Sequence, residues 1–286
     1  MTEVRIATRR SVLALAQAGR VADLLRAAEP DLGVRLVEVA TSGDRDQEGA
    51  IAELSEVGAF VRSLQEALID GRADLAVHSL KDLPVWGPGE LVLAAFPERG
   101  SPCDVLVGSS LDELPLRGLV GTGSPRRVEQ LLELRPDLRT VELRGNVDTR
   151  LRKVAAGEVD AAVLAEAGLE RLGKSDVIAQ RFDVTQMVPA PGQGALAVEA
   201  RRGSGSVELA GTIDDGPLRI LLSAERILLG ETGAGCRSAL GALATWEARR
   251  IRLETFVADD RGARRAVVFG ETPEAAVAEA RKELGL

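Results

Sequence analysis

Val4-Arg5-Ile6-Ala7-Thr8-Arg9-Arg10-Ser11-Val12-Leu13-Ala14-Leu15-Ala16-Gln17-Ala18 decides the fold class. Val4–Thr8 has the composition of a strand, and Val12–Ala28 repeats apolar residues at helical spacing. Ser11 stands between them as an N-cap, so the chain leaves a strand and enters a helix through a three-residue loop. A strand feeding a helix in this way is the building unit of α/β proteins.

The alternation continues outward. Further strands are expected at Val34–Ala40, Asp74–His78, Leu91–Phe96, Asp104–Gly108, Leu119–Thr122, Arg139–Leu143 and Asp160–Leu164. Helices are expected at Ala59–Asp70, Pro125–Leu134 and Val147–Ala156. The rhythm predicts mostly parallel sheets covered on both faces. Breaker-rich segments at Phe96–Pro102 and Met187–Gly194 read as crossings between two α/β domains with a cleft at their junction. Ala195–Ala200 is one more strand, too short for a domain, and is expected to return to the first sheet. From about Gly216 the pattern changes to a helix (Leu218–Leu229), a glycine-rich loop, strands Ile251–Val257 and Arg264–Phe269, and a closing helix, a small α+β unit. The expected division is 1–97 with 194–214, then 102–188, then 217–286.

Composition narrows the function. The 286 residues are 45% hydrophobic and 28% charged, the balance of a folded chain. A net charge of −8, 2% aromatic residues and no tyrosine argue against nucleic-acid binding. No apolar run reaches membrane-span length, and Met1-Thr2-Glu3 leads straight into a strand, so neither membrane insertion nor a signal peptide is expected. Cys103 and Cys236 lie far apart, which points to a reducing cytoplasm. With one histidine, His78, no metal set is credible and hydrolase triads are disfavoured; His78 reads as structural.

Three helix starts are suited to anions. Arg9 and Ser11 follow the first strand; Thr122, Ser124, Arg126 and Arg127 surround a second start with Pro125 at its first position; Arg144, Asn146 and Arg150 surround a third. Unpaired N–H groups and the helix dipole favour anions there, and arginine adds a fork matched to a carboxylate. Neither phosphate-binding glycine motif is present, so carboxylates are as good a target as phosphates. Lys81-Asp82 belongs on a strand's exit loop, either as a surface ion pair or as a carboxylate serving a cationic intermediate. Cys236, in Gly233-Ala234-Gly235-Cys236-Arg237, is either a buried thiol or an accessible nucleophile; Cys103 reads as structural.

These segments, together with Asp74–Pro84, Ala167-Gly168-Leu169-Glu170-Arg171-Leu172-Gly173 and Pro189–Ala195, resemble signatures of the hydroxymethylbilane synthases, also called porphobilinogen deaminases. The matching motifs run in order from near residue 5 to beyond 240. The resemblance implies two domains like type II periplasmic binding proteins with a double crossover, followed by a small α+β domain that carries the cysteine. It implies a dipyrromethane cofactor joined through a thioether to Cys236. Porphobilinogen then loses ammonia to give an azafulvenium, which the growing chain attacks; four rounds and a hydrolysis release hydroxymethylbilane.

The residues carry over as follows. Lys81, Thr122, Ser124, Arg126 and Arg127 would hold cofactor carboxylates, with Asp82, Asn146 and Arg150 also at the cofactor. Arg9, Ser11, Arg144, Arg150 and Arg171 would grip substrate and the elongating chain, joined by Gln193 and by Phe60, which covers a ring or fills the core. Asp82, beside Lys81, would stabilise the positive ring as ammonia leaves. No long apolar surface stripe demands a partner, so a monomer is expected, and its product is expected to pass to a uroporphyrinogen III synthase. Ala7, Val12, Val57 and the segment after Cys236 depart from the family's usual glycine, proline, lysine and proline. The alternative is a non-catalytic two-lobed binding protein for a small polycarboxylate.

Overall fold

The computed structural model describes residues 3–39, 56–233 and 239–286. In chain order the strands are β1 (Glu3–Thr8), β2 (Gly33–Glu38), β3 (Leu75–Ser79), β4 (Leu91–Ala95), β5 (Asp104–Val107), β6 (Leu119–Gly121) and β7 (Arg139–Val141). They continue as β8 (Ala161–Ala165), β9 (Ile178–Arg181), β10 (Leu196–Arg201), β11 (Ala239–Glu247), β12 (Arg250–Asp259) and β13 (Gly262–Gly270). The helices are α1 (Val12–Ala28), α2 (Glu56–Ile69), α3 (Pro125–Leu134), α4 (Val147–Ala155), α5 (Glu166–Arg171), α6 (Gly205–Gly211), α7 (Gly216–Glu231) and α8 (Pro273–Leu284). The chain divides into two compact units, Met1–Arg99 with Ala195–Arg219, and Gly100–Gly194 with Ile220–Leu286.

The first unit holds the sheet β2-β1-β3-β10-β4. Its first three strands are parallel, and β10 runs antiparallel to both β3 and β4. The period-two alternation of the strands divides the core in two. Val4, Ile6, Leu75 and Val77 face Ala18, Val21, Ala22 and Leu25 of α1, while Ala7 and Ala76 face Leu64, Ala67 and Leu68 of α2. The α1 contacts recur at 18, 21, 22 and 25, one stripe of a 3.6-residue helix. Each fully buried Val or Leu there contributes about 1.5–3 kcal/mol.

The second unit repeats the plan. Its sheet runs β7-β6-β8-β5-β9, with β5 antiparallel to β8 and β9. Leu106, Val120, Ala161 and Val163 pack toward Leu131 of α3, and Val105, Val107, Ala162 and Leu164 toward Val147, Leu151 and Val154 of α4. Both sheets therefore follow one order, second–first–third–crossover–last, and in each the crossover strand enters from the other unit's part of the chain. The sheets are covered on both faces and mostly parallel, as expected: four strands of each run one way and only the entering strand runs backwards.

A third sheet in the second unit is the antiparallel meander β11-β12-β13. Its apolar face, with Leu240, Ala242, Ile251 and Leu253, packs on Ala224 and Leu228 of α7 and on Ala276, Val277 and Ala280 of α8.

Candidate active site

The carboxyl ends of parallel strands in α/β sheets are where ligands bind. In the first unit β1 and β3 are adjacent, so their exit loops share one edge. Ser11 caps α1 there, its hydroxyl accepting from the Ala14 N–H at 3.3 Å. The β3 exit is a single 3₁₀ turn, Leu80–Asp82, which presents Lys81 and Asp82 half-buried. Gln17 of α1 donates to the Ser79 hydroxyl at 2.8 Å and ties the two loops together.

These residues line a cavity of about 90 Å³ whose walls include Arg9, Ser11, Gln17, Phe60, His78 and Asp82. The Arg9 guanidinium lies over the Phe60 ring, 3.6 Å from its centroid. A cation over an aromatic face contributes about 0.5–1 kcal/mol where solvent reaches it. Phe60 is therefore neither a plain core aromatic nor a bare ring. Among the described residues nothing hydrogen-bonds or ion-pairs with the Asp82 carboxylate.

His78 is buried, with Nε2 3.2 Å from Glu199 Oε2 but without a hydrogen bond. The other Glu199 oxygen accepts from Gln65 at 3.0 Å. A wholly satisfied structural histidine was the expectation; the ring is structural in its burial yet keeps one nitrogen without a hydrogen bond.

In the second unit β6 lies between β7 and β8, so three exit loops share an edge. Ser124 occupies the N-cap position of α3 with Pro125 next, but its hydroxyl does not cap. Its own carbonyl already takes the Arg127 and Val128 N–H groups. Thr122 is buried, and its hydroxyl accepts from the Ser124 N–H at 3.3 Å. Asn146 caps α4 by accepting from Thr149 at 2.9 Å. Gly145 before it has φ +108, and a Cβ would stand 2.7 Å from Thr149 Cγ2, so only glycine makes this turn.

Arg126 and Arg127 are 2% and 6% exposed. Arg126 Nη1 donates to Asp104 at 2.7 Å and to the Val188 carbonyl at 2.7 Å. Arg127 donates Nε and Nη2 to the other Asp104 oxygen at 3.0 and 2.7 Å, and Nη1 to the Val163 carbonyl. Burial pushes the Arg126 guanidinium below its ordinary value; Asp104 opposes this and the neighbouring Arg127 reinforces it. Gln193, fully buried, donates to Asp104 at 2.9 Å and to the Pro102 carbonyl at 2.7 Å.

The remaining arginines are less deeply buried. Arg144 is exposed and paired with Glu142 at 2.9 Å, Arg150 donates to the Gly145 carbonyl at 2.8 Å, and Arg171 donates to the Gly194 carbonyl at 2.6 Å. Gly194 has φ +85, and a Cβ would meet the Gly100 carbonyl at 2.5 Å. Cys103 is half-buried, and burial pushes its thiol up, which suits a structural thiol. Cys236 and the Val57 side chain lie outside the described residues.

Two α/β sheets of one topology, each with helix starts and charged side chains at its strand exits, define an α/β protein of two like-folded units. The family described as "Porphobilinogen deaminase, dipyromethane cofactor binding domain" matches residues 4–208. The porphobilinogen deaminase of Thermobifida fusca (strain YX) is 45% identical over 285 residues, covering 96% of this chain and 88% of its own. That of Acidothermus cellulolyticus is 46% identical over 270 residues, covering 92% and 81%. Among solved structures, the methionine binding protein MetQ aligns over 81% of this chain and 94% of its own at 12% identity, with a TM-score of 0.46. The chain belongs to the porphobilinogen deaminase family.

Membership makes it a transferase of porphyrin biosynthesis, with hydroxymethylbilane synthase activity and a dipyrromethane cofactor; a non-catalytic binding protein is not favoured. No helix of the described residues is long and apolar enough to cross a membrane. The donor set fits a cofactor rich in carboxylates. Arg126 keeps a buried Nε with no hydrogen-bond partner, and the Ser124 hydroxyl makes no cap bond at an open helix start. Sequence pattern alone does not single out Asp104. Its signal is an acid heading a four-residue strand that is otherwise Val-Leu-Val and wholly buried.

Proposed function

We propose that the two lobes divide the labour of the hydroxymethylbilane synthase reaction, in which four porphobilinogen molecules are deaminated and condensed head to tail. When bound through Cys236, the dipyrromethane supplies the primer to which incoming pyrroles are joined. In the first lobe Asp82 accepts hydrogen bonds from pyrrole N–H and stabilises the ring as it becomes positive and ammonia departs. Lys81 neutralises a carboxylate beside it. Arg9 and Ser11 hold a substrate carboxylate, and Phe60, kept in place by Arg9, covers the pyrrole ring.

In the second lobe Thr122, Ser124, Arg126 and Arg127 hold cofactor carboxylates, with Asn146 and Arg150 beside them. Arg144, Arg150, Arg171 and Gln193 hold substrate and the lengthening chain. Arginine suits this task because each pyrrole carries two carboxylates that a planar fork can take bidentately. The protein works in the cytoplasm as a monomer and passes its product to a uroporphyrinogen III synthase. Residues 217–286 form a third domain that carries Cys236; the separate core under β11-β12-β13 supports this division from 1–97 with 194–214 and from 102–188.

The observation that carries the chemistry is the Asp82 carboxylate, set in a cavity beside Arg9 and Phe60 and engaged by no hydrogen bond among the described residues. The test supplies porphobilinogen to the purified chain and measures ammonia and hydroxymethylbilane together. Four ammonia per hydroxymethylbilane is the expected ratio; porphobilinogen left unconsumed would contradict the reading.

A further inference from the structure

Asp104 sits at the amino end of β5, and because β5 runs antiparallel its first residue pairs with Ala165 at the carboxyl end of β8. The backward direction of the crossover strand therefore delivers an acid to the edge where the exit loops of β6, β7 and β8 gather. Its side chain is wholly buried, and its two oxygens accept from Arg126, Arg127 and Gln193. All three donors belong to the constellation assigned to cofactor and substrate.

The pairing is unequal. Arg127 uses all three guanidinium nitrogens, on Asp104 and the Val163 carbonyl. Arg126 uses Nη1 alone, and its Nε is buried without a partner. Two guanidinium groups against one carboxylate leave these three residues with an excess positive charge in a desolvated place. A buried cation is costly unless an anion meets it. Asp104 alone cannot meet both, so it orients the pair and leaves Arg126 with donors for a further carboxylate.

We infer that Asp104 is a positioning residue: it sets the direction of Arg126 and, through Gln193, of the 189–194 loop, so that the second lobe is ordered before the dipyrromethane is attached. The inference rests on the functional reading above and adds a residue that acts through others rather than by touching the ligand. Each attachment step forms one bond from the aminomethyl carbon of a porphobilinogen, first to Cys236 sulfur and then to a pyrrole carbon. The displaced hydrogen leaves with the amine as ammonia.

The experiment starts from apoprotein given porphobilinogen and follows the gain of two pyrrole units by intact mass, per folded molecule, in wild type, Asp104→Glu and Asp104→Asn. Thermal unfolding of the same samples reports folding. The expected order of loading rate is wild type, then Glu, then Asn, with Asn slower than wild type by about ten-fold or more, the scale of cost for misplaced groups. Partial rescue by Glu marks the carboxylate charge as the agent. Asn loading as fast as wild type, or Asn and Glu equally slow, would overturn the role. If Asp104→Asn does not accumulate folded, Asp104→Glu decides alone. Its added methylene shifts both guanidinium groups, so slower loading supports the role and wild-type loading overturns it. A wild-type chain that never gains the mass would instead overturn the functional reading itself.

Discussion

The two α/β sheets share a strand order and differ in what stands at the ligand edge. In the first, the crossover strand begins with Leu196 opposite Ser79, and the acid at the edge is Asp82, half-buried on a cavity that it shares with Arg9. In the second, the crossover strand begins with Asp104 opposite Ala165, and the charge is a pair of buried arginines anchored by that acid. One topology thus offers an available anion on one lobe and a pre-ordered cationic set on the other. The difference matches a reaction whose transition state is cationic at the ring and whose substrate is anionic at its periphery. It also teaches that topology places loops, whereas single residues at strand heads decide their electrostatics.

The sharpest way to break the comparison is to neutralise the first lobe's acid. Asp82→Ala is expected to lower turnover by about 10²–10³-fold, the scale seen when one transition-state stabiliser is lost. The protein should still fold and attach the cofactor. Steady-state rates with holoprotein check this, and near-normal turnover would remove the proposed contrast.

In the second lobe the acid is structural as well as directive. Asp104→Asn leaves two buried guanidinium groups without their anion and is expected to destabilise the fold by about 3–5 kcal/mol in denaturant titration. A cost below about 1 kcal/mol would mean that solvent or backbone already satisfies those arginines.

Arginines of the second lobe that are less buried should behave in the opposite way. Arg144→Leu and Arg150→Leu are expected to change stability by no more than about 0.5 kcal/mol, as surface substitutions do. They should nonetheless stall elongation, changing the distribution of enzyme-bound intermediates in a mass spectrum. An unchanged distribution would remove them from the substrate path.

The smallest effect belongs to the opposite edge of the first sheet. Asp74 precedes β3 and pairs with Arg5, 2.8 Å away. The hydrogen bond from Arg5 holds its carboxyl below the ordinary value of 3.8 despite partial burial. A carboxyl with a depressed folded pKa stabilises fully above its unfolded value and loses that contribution as pH falls toward the folded one. Thermal midpoints should therefore decline below about pH 4, and Asp74→Asn should flatten that part of the curve without touching turnover near neutrality.

Much of this was legible in the residues. Helix starts at Ser11 and Asn146 follow from small polar caps before apolar stripes, and the structure finds both hydroxyl and amide bonds. The carboxyl-edge position of Lys81 and Asp82 follows from the apolar run of β3 ending at Ser79. Other features were hidden for physical reasons. β11 is Ala-Leu-Gly-Ala-Leu-Ala before Thr245, poor in β-branched residues, and its Gly241 leaves room for the Val188 carbonyl, 2.8 Å from where a Cβ would stand. The short strand β9 and helices α5 and α6 are too brief for periodicity to register. Ser124 occupies its expected position without its expected bond, and its carbonyl instead takes the Arg127 and Val128 N–H groups. Asp104 is not legible along the chain, because its pairing with Arg126 and Arg127 depends on a strand running backwards, which spacing does not reveal.

The measurement that bears most directly on the whole account is the intact mass of the chain after incubation with porphobilinogen, beside a Cys236→Ser control. An excess equal to two linked pyrrole units is expected in the wild-type chain and none in the control. A wild-type chain that keeps its bare mass after incubation, or a control that gains the same excess, would contradict it.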